Sequence, residues 1–178
     1  MKNIILIGFM GSGKTSVGRQ ISSMTGFKLE DIDSRIVKDS KMEIKDIFAG
    51  HGEDYFRKLE TKTAGKVFSM KNRVVSTGGG IVTRPENFEL MKKGGTVVYL
   101  KNSFAVSVKR LNGDKDRPLF DLDNLKKTEM LFKKRLELYK KAADITVVTD
   151  NKTVLQAANE VIKKAGIKIE DNKAKTKG

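Results

Sequence analysis

The chain of 178 residues carries 36 lysines and arginines against 22 aspartates and glutamates, a formal charge of +14, with 38% hydrophobic residues and no cysteine. That length suits one domain with a single sizeable core, and the lack of cysteine excludes disulfides, thiolate metal sites and a cysteine nucleophile. Of the basic residues 28 are lysines scattered along the chain, without the arginine stripe or interleaved aromatics of a groove reader, so they read as solvated surface and no nucleic-acid partner is expected.

Residues 4–7, Ile-Ile-Leu-Ile, form the first predicted strand, an apolar run of the kind buried in a parallel sheet. GFMGSGKTSVGRQ follows at 8–20, where Gly8, Gly13, Lys14 and Thr15 fit the pattern GxxxxGK(S/T). Val17, Ile21 and Met24 then recur at spacings of four and three, so a helix begins inside the motif. Strand, glycine loop and helix together are the setting of a phosphate-binding loop. Glycines let successive N–H groups turn toward an anion, and the helix adds the positive end of its dipole. Lys14 would reach the outer phosphates and Thr15 would hold Mg²⁺. The apolar start after Met1-Lys2 lacks the small-residue cleavage site of a secretory signal. No run approaches the ~18 apolar residues of a membrane span, so a soluble, cytoplasmic protein with no membrane partner is expected.

The second predicted strand, 27–31, leads into Glu30-Asp31-Ile32-Asp33 and so brings two carboxylates to the carboxyl edge of the sheet, where open α/β sheets bind ligands. Alternatively, Asp33 caps the next helix. Some forty residues separate this strand from the third, 73–77, more than one crossover helix needs, and Phe56, Leu59, Thr63, Val67 and Met70 line one helical face within them. Glycines 78 to 80 come directly after the third strand, and three in a row cost backbone entropy, so close approach of a ligand is the expected reason for them. Thr83, Pro85 and Glu86 spell a helix start. Further strands are predicted at 96–100 and 144–148, with a helix containing Leu131, Leu138 and Tyr139 between them. The stretch 112–124, NGDKDRPLFDLDN, is polar and turn-rich, as expected of a lid. His51, the single histidine, reads as a loop residue supporting the substrate region, and 168–178 as a frayed lysine-rich tail. The alternation predicts a three-layer α/β phosphate-loop (P-loop) fold: a five-stranded parallel sheet with helices on both faces, forming one domain over 1–167 with a helical insertion at about 32–62.

GSGKT (11–15), DID (31–33), DIFAGHGEDYFRKLE (46–60), GGG (78–80), RPL (117–119) and KKRLELY (133–139) occur in an order and spacing that resemble the shikimate kinases. These belong to the nucleoside monophosphate kinase-like branch of P-loop kinases, and the likeness runs from about residue 3 to residue 165. The resemblance implies transfer of the ATP γ-phosphate to the 3-hydroxyl of shikimate, in aromatic amino acid biosynthesis, by a monomer using Mg²⁺. It implies that Gly11, Ser12, Gly13, Lys14, Thr15 and Ser16 wrap the phosphates. Thr15 and, through water, Asp31 would hold Mg²⁺, and Arg117 would close over the transferring group, supplying the charge neutralisation that phosphoryl transfer needs. Arg110 and Lys152 would flank adenine. Asp33, the third member of a catalytic set with Lys14 and Arg117, would bind the ring hydroxyls and orient the attacking one or accept its proton. Arg57 and Arg135 would hold the substrate carboxylate, with Glu60 one helical turn from Arg57 steadying it. Gly78, Gly79 and Gly80 would complete the substrate site, and Phe48 and Phe56 would wall the ring or pack as core. Rival readings are a gluconate or nucleoside monophosphate kinase and a GTP-binding switch. The switch would need an NKxD reader, and Asn151-Lys152-Thr153-Val154 lacks the aspartate.

Overall fold

A computed structural model describes residues 2–111 and 124–167. Five strands, β1 (Asn3–Ile7), β2 (Lys28–Asp31), β3 (Arg73–Ser76), β4 (Gly95–Lys101) and β5 (Ile145–Val148), pair in parallel in the order β2-β3-β1-β4-β5. Each predicted strand is present with its ends shifted by no more than one residue. All of β1 is buried, because it lies at the centre with helices over both faces. Ile4 and Leu6 alternate into one core with Val98, Leu100 and Val147, beneath α1 (Lys14–Thr25) and α7 (Val154–Lys164). Ile5 and Ile7 alternate into the other with Val75, Val97 and Tyr99, beneath α3 (Ile44–Phe68), α4 (Glu86–Gly94) and α6 (Leu125–Ala142).

Strand order reverses at β1. The chain runs from β1 out to the edge strand β2, returns to lay β3 between them, and then crosses β1 to β4 and β5, so the loops leaving β1 and its neighbours part over a crevice at their carboxyl ends. The forty-residue interval holds two helices, α2 (Ile32–Ser40) and α3, the latter kinked at Gly52, where φ is 79°. Phe56, Thr63 and Val67 on the expected face of α3 are buried, whereas Met70 lies beyond its end. The helix start expected at Thr83 is different in detail. Arg84 precedes a proline and is therefore held extended, so α4 begins only at Glu86 with Pro85 as its N-cap. Thr83 instead closes a 3₁₀ turn, Ile81–Thr83, by donating from Oγ1 to the Gly80 carbonyl at 2.7 Å. The short helix α5 (Phe104–Leu111) leads toward the expected lid. Most of that lid and the tail lie outside the described residues; Asn124 at the lid's end caps α6 by accepting from the Lys127 N–H.

The buried Asn3 side chain ties the lower end of the sheet together. Its Nδ2 donates to the carbonyls of Met70 at 2.7 Å, Gly94 at 3.0 Å and Phe68 at 3.2 Å, and its Oδ1 accepts from Arg73 N at 3.0 Å. Asn3→Ala should therefore destabilise the fold by about 2–3 kcal/mol in urea unfolding with an unchanged slope. A loss below about 0.5 kcal/mol would mean that water replaces the amide.

Candidate active site

The loop after β1 turns through Gly11 and Gly13 at φ of 76° and 91°, a region open to glycine at little cost. Gly13 is the N-cap of α1, so the first N–H groups of that helix converge on the loop. Lys14 is buried, and its Nζ spans the loop by donating to the carbonyls of Gly8 at 2.8 Å and Phe9 at 2.9 Å. Thr15 Oγ1 donates to Asp31 Oδ2 at 3.0 Å and lies 3.1 Å from Ser76 Oγ. Asp31 also accepts from Ser34 N at 3.1 Å through Oδ1. The capping role considered for Asp33 thus belongs to Asp31. Thr15, Asp31 and Ser76 present hard oxygen donors in a cluster, a donor set that fits Mg²⁺. Sequence reasoning missed Ser76; the available signal was a hydroxyl ending the apolar run Val74-Val75.

One cavity of about 720 Å³ runs from this loop, past Gly11, Gly13, Lys14, Thr15 and Ser16, to a second wall bearing Asp33, Arg57 and Arg135. Ser12 is fully buried beneath the loop. Arg57 and Arg135 are only 5% and 3% exposed, and Glu60 is 0% exposed. Arg57 donates from Nη1 to Glu60 Oε2 at 2.7 Å, and from Nη2 and Nε to Glu53 Oε1 at 2.9 and 3.1 Å. Burial opposes the Arg57 charge, but Glu60 and Glu53 more than offset it and the guanidinium is held above its ordinary range. Burial pushes the Glu60 carboxyl up to about 7 against the pull of Arg57, with Asp33 adding to the rise. Arg135 is lowered, first by burial and also by the like charge of Arg57. Its Nε has no partner among the described residues. Two buried cations, one with a donor to spare, make this wall a receptor for an anion. Glu53 was not foreseen, although it stands four residues before Arg57 on one helix face.

Two glycines of the run have a steric cause beside the ligand approach expected of them. A Cβ at Gly78 would lie 2.3 Å from Glu60 Oε1 and 2.9 Å from Asp33 Oδ1, and one at Gly80 would lie 2.2 Å from the Arg57 guanidinium carbon. These two glycines make room for the protein's own charged groups. Gly79 is different, since its Cβ would meet nothing closer than 3.5 Å. Phe48 and Phe56 line the cavity with ring centroids 4.9 Å apart, and Phe56 also lies 5.2 Å beneath Arg57. His51 is exposed on α3, not in a loop, and its ring lies tilted against Tyr55 with centroids 4.6 Å apart. Arg110 donates to the carbonyls of Gly11 at 3.0 Å and Thr149 at 3.1 Å. With Lys152, which pairs with Glu160, it lines a second cavity of about 150 Å³ beside the loop. Arg117 lies outside the described residues.

A phosphate-binding loop at the switch point of a parallel sheet, facing an anion-receiving wall across one cavity, defines the class as P-loop kinase. The model of the shikimate kinase family matches residues 10–166. Shikimate kinase of Persephonella marina is 43% identical over 162 residues, spanning 91% of this chain and 98% of its own. The solved structure of shikimate kinase from Acinetobacter baumannii in complex with shikimate matches at a TM-score of 0.88 and 35% identity, over 92% of both chains. A gluconokinase from Sinorhizobium meliloti, at 18% identity and a TM-score of 0.54 over 93% of this chain and 94% of its own, shares the fold alone. The chain belongs to the shikimate kinase family and is an ATP-dependent phosphotransferase. No helix among the described residues is long and apolar enough to cross a membrane.

Two expectations arise from the buried charges. Gly80→Ala should displace the Arg57 guanidinium and lower the thermal midpoint clearly more than Gly79→Ala, measured by differential scanning fluorimetry; equal midpoints would contradict the steric assignment. Because Glu60 has a folded-state value raised to about 7, its contribution is fully present below its unfolded value near 4.5 and is lost as pH rises through 7. The stability of the wild type relative to Glu60→Gln should therefore fall between pH 4.5 and 7 in urea titrations, and a difference independent of pH would refute it.

Proposed function

We propose that the enzyme transfers the γ-phosphoryl group of ATP to the 3-hydroxyl of shikimate, and that the 720 Å³ cavity holds the reacting pair. The observation that carries this reading is that Asp33 and the buried Arg57 and Arg135 line the same cavity as Lys14 and Thr15. The carboxylate of shikimate takes donors from Arg57 and Arg135, its ring lies against Phe48 and Phe56, and its hydroxyls reach Asp33. Such a wall, part guanidinium and part aromatic, suits a cyclic hydroxy acid. N–H groups of residues 11–16 and the Lys14 ammonium receive the phosphates, with adenine between Arg110 and Lys152 in the smaller cavity.

Asp33 accepts a hydrogen bond from the attacking hydroxyl and takes its proton as the new O–P bond forms and the bond from the γ-phosphorus to the β,γ-bridging oxygen breaks, releasing ADP. Lys14 neutralises charge on the transferring group, joined by Arg117. Thr15 and Ser76, with Asp31 through water, would hold Mg²⁺, which when bound supplies further charge neutralisation between the phosphates. The cytoplasm, where ATP and Mg²⁺ are both present, is the proposed location, and a monomer is the proposed working form.

A coupled assay of ADP release with ATP and Mg²⁺ tests the reading. Shikimate should support turnover about a hundredfold or more above gluconate or nucleoside monophosphates; preference for either rival acceptor would overturn it. Arg57→Ala should raise the KM for shikimate far more than that for ATP, while Lys14→Ala should lower kcat by about a hundredfold or more. An unchanged shikimate dependence in the arginine variant would remove the substrate assignment.

A further inference from the structure

Tyr139 takes no part in the chemistry above, yet it is tied to the cavity-lining Gly79 and shares a helix face with Arg135. It stands one helical turn beyond Arg135 on α6, is 0% exposed, and stacks on Tyr99 with centroids 5.1 Å apart. Its hydroxyl donates to the Gly79 carbonyl. Burial pushes the phenol far above its ordinary range, so it keeps its proton and remains a donor, while the Arg135 guanidinium acts on it from close by. The ring is explained by core packing. The hydroxyl is not, since a phenylalanine would fill the same space.

Gly79 C=O and Gly80 N–H belong to one planar trans peptide and point to opposite sides of it. Anchoring the carbonyl on α6 therefore turns the Gly80 N–H away from α6, and both glycines line the cavity. The turn's own bonds run from Ile81 N to Gly78 O at 3.2 Å and from Thr83 N to Gly80 O at 2.9 Å, so they leave the Gly80 N–H outside their ladder. Gly79, which has ordinary space around it, depends on such a tether more than Gly78 and Gly80, which are wedged against Glu60 and Arg57.

We propose that Tyr139 is a positioning residue for the acceptor: its hydroxyl, one helical turn beyond Arg135 on α6, fixes the Gly79 carbonyl, so that Arg135 and the Gly80 N–H present their donors to one substrate carboxylate. This inference rests on shikimate being the acceptor. Tyr139→Phe keeps the ring and its stacking, and Tyr99→Phe serves as the control within the same aromatic pair. Steady-state kinetics for both substrates, shikimate calorimetry and thermal midpoints should be measured on the three proteins. Tyr139→Phe should raise the shikimate KM about five- to tenfold with a parallel weakening by calorimetry, leave the KM for ATP within about twofold and keep the midpoint within about 2 °C. Tyr99→Phe should match the wild type. A Tyr139→Phe enzyme with wild-type shikimate constants would overturn the positioning role alone, as would a rise in both KM values accompanied by a lower midpoint. A wild-type enzyme that does not turn over shikimate would overturn the functional reading and this inference together.

Discussion

Burial of Arg57, Arg135 and Glu60 at one edge of the sheet is the constraint to which the surrounding site is fitted. Removing ions from water costs several kcal/mol each unless good geometry and further hydrogen bonds compensate. Arg57 meets that demand with two carboxylates, Glu60 at 2.7 Å inside and Glu53 at 2.9 Å toward the surface. Arg135 is compensated less completely, which is why its charge is disfavoured and its Nε lacks an acceptor among the described residues. The missing side chains at Gly78 and Gly80 are the other half of the arrangement, because any Cβ there would occupy the space of Glu60, Asp33 or Arg57. An acidic substrate would supply the acceptor that Arg135 Nε lacks among the described residues.

Topology delivers these groups to the phosphate loop. β1 lies between β3 and β4, so the loop that follows it opens at the switch point with α1 pointing its N-terminus into the crevice. β2 and β3 run in register with Asp31 opposite Ser76, and this pairing assembles the hydroxyl and carboxylate cluster around Thr15. The residues just beyond those strand ends, Asp33 on one and the glycine run on the other, are thereby carried to the same cavity that the phosphate loop lines. α3 and α6 then bring the arginines in from the face that covers Ile5, Ile7 and Val97.

Much of this was legible in the sequence because it rests on local patterns. Alternating apolar runs gave the five strands, and glycine spacing followed by a helical stripe gave the phosphate loop. The common wall of Asp33, Arg57 and Arg135 was implied by the resemblance to the shikimate kinases that the order of the motifs carries. What escaped depends on contacts between distant segments. Tyr139 reaches Gly79 across sixty positions, and the steric reason for Gly78 and Gly80 lies in side chains on α2 and α3. The threonine at 83 matched a capping pattern, but the backbone restriction imposed by Pro85 overrode it. Asp31, not Asp33, caps α2, a distinction of two residues that hydrogen bonding decides and spacing does not.

The central physical claim is that paired buried guanidinium groups recognise a carboxylate on the acceptor. Comparing shikimate with its methyl ester, which keeps the ring and every hydroxyl but loses the negative charge, isolates that recognition. Initial rates of ADP release at saturating ATP should give the ester a KM about a hundredfold or more above that of shikimate. An ester handled as well as the acid would contradict the claim and leave the buried arginines without a role in recognition.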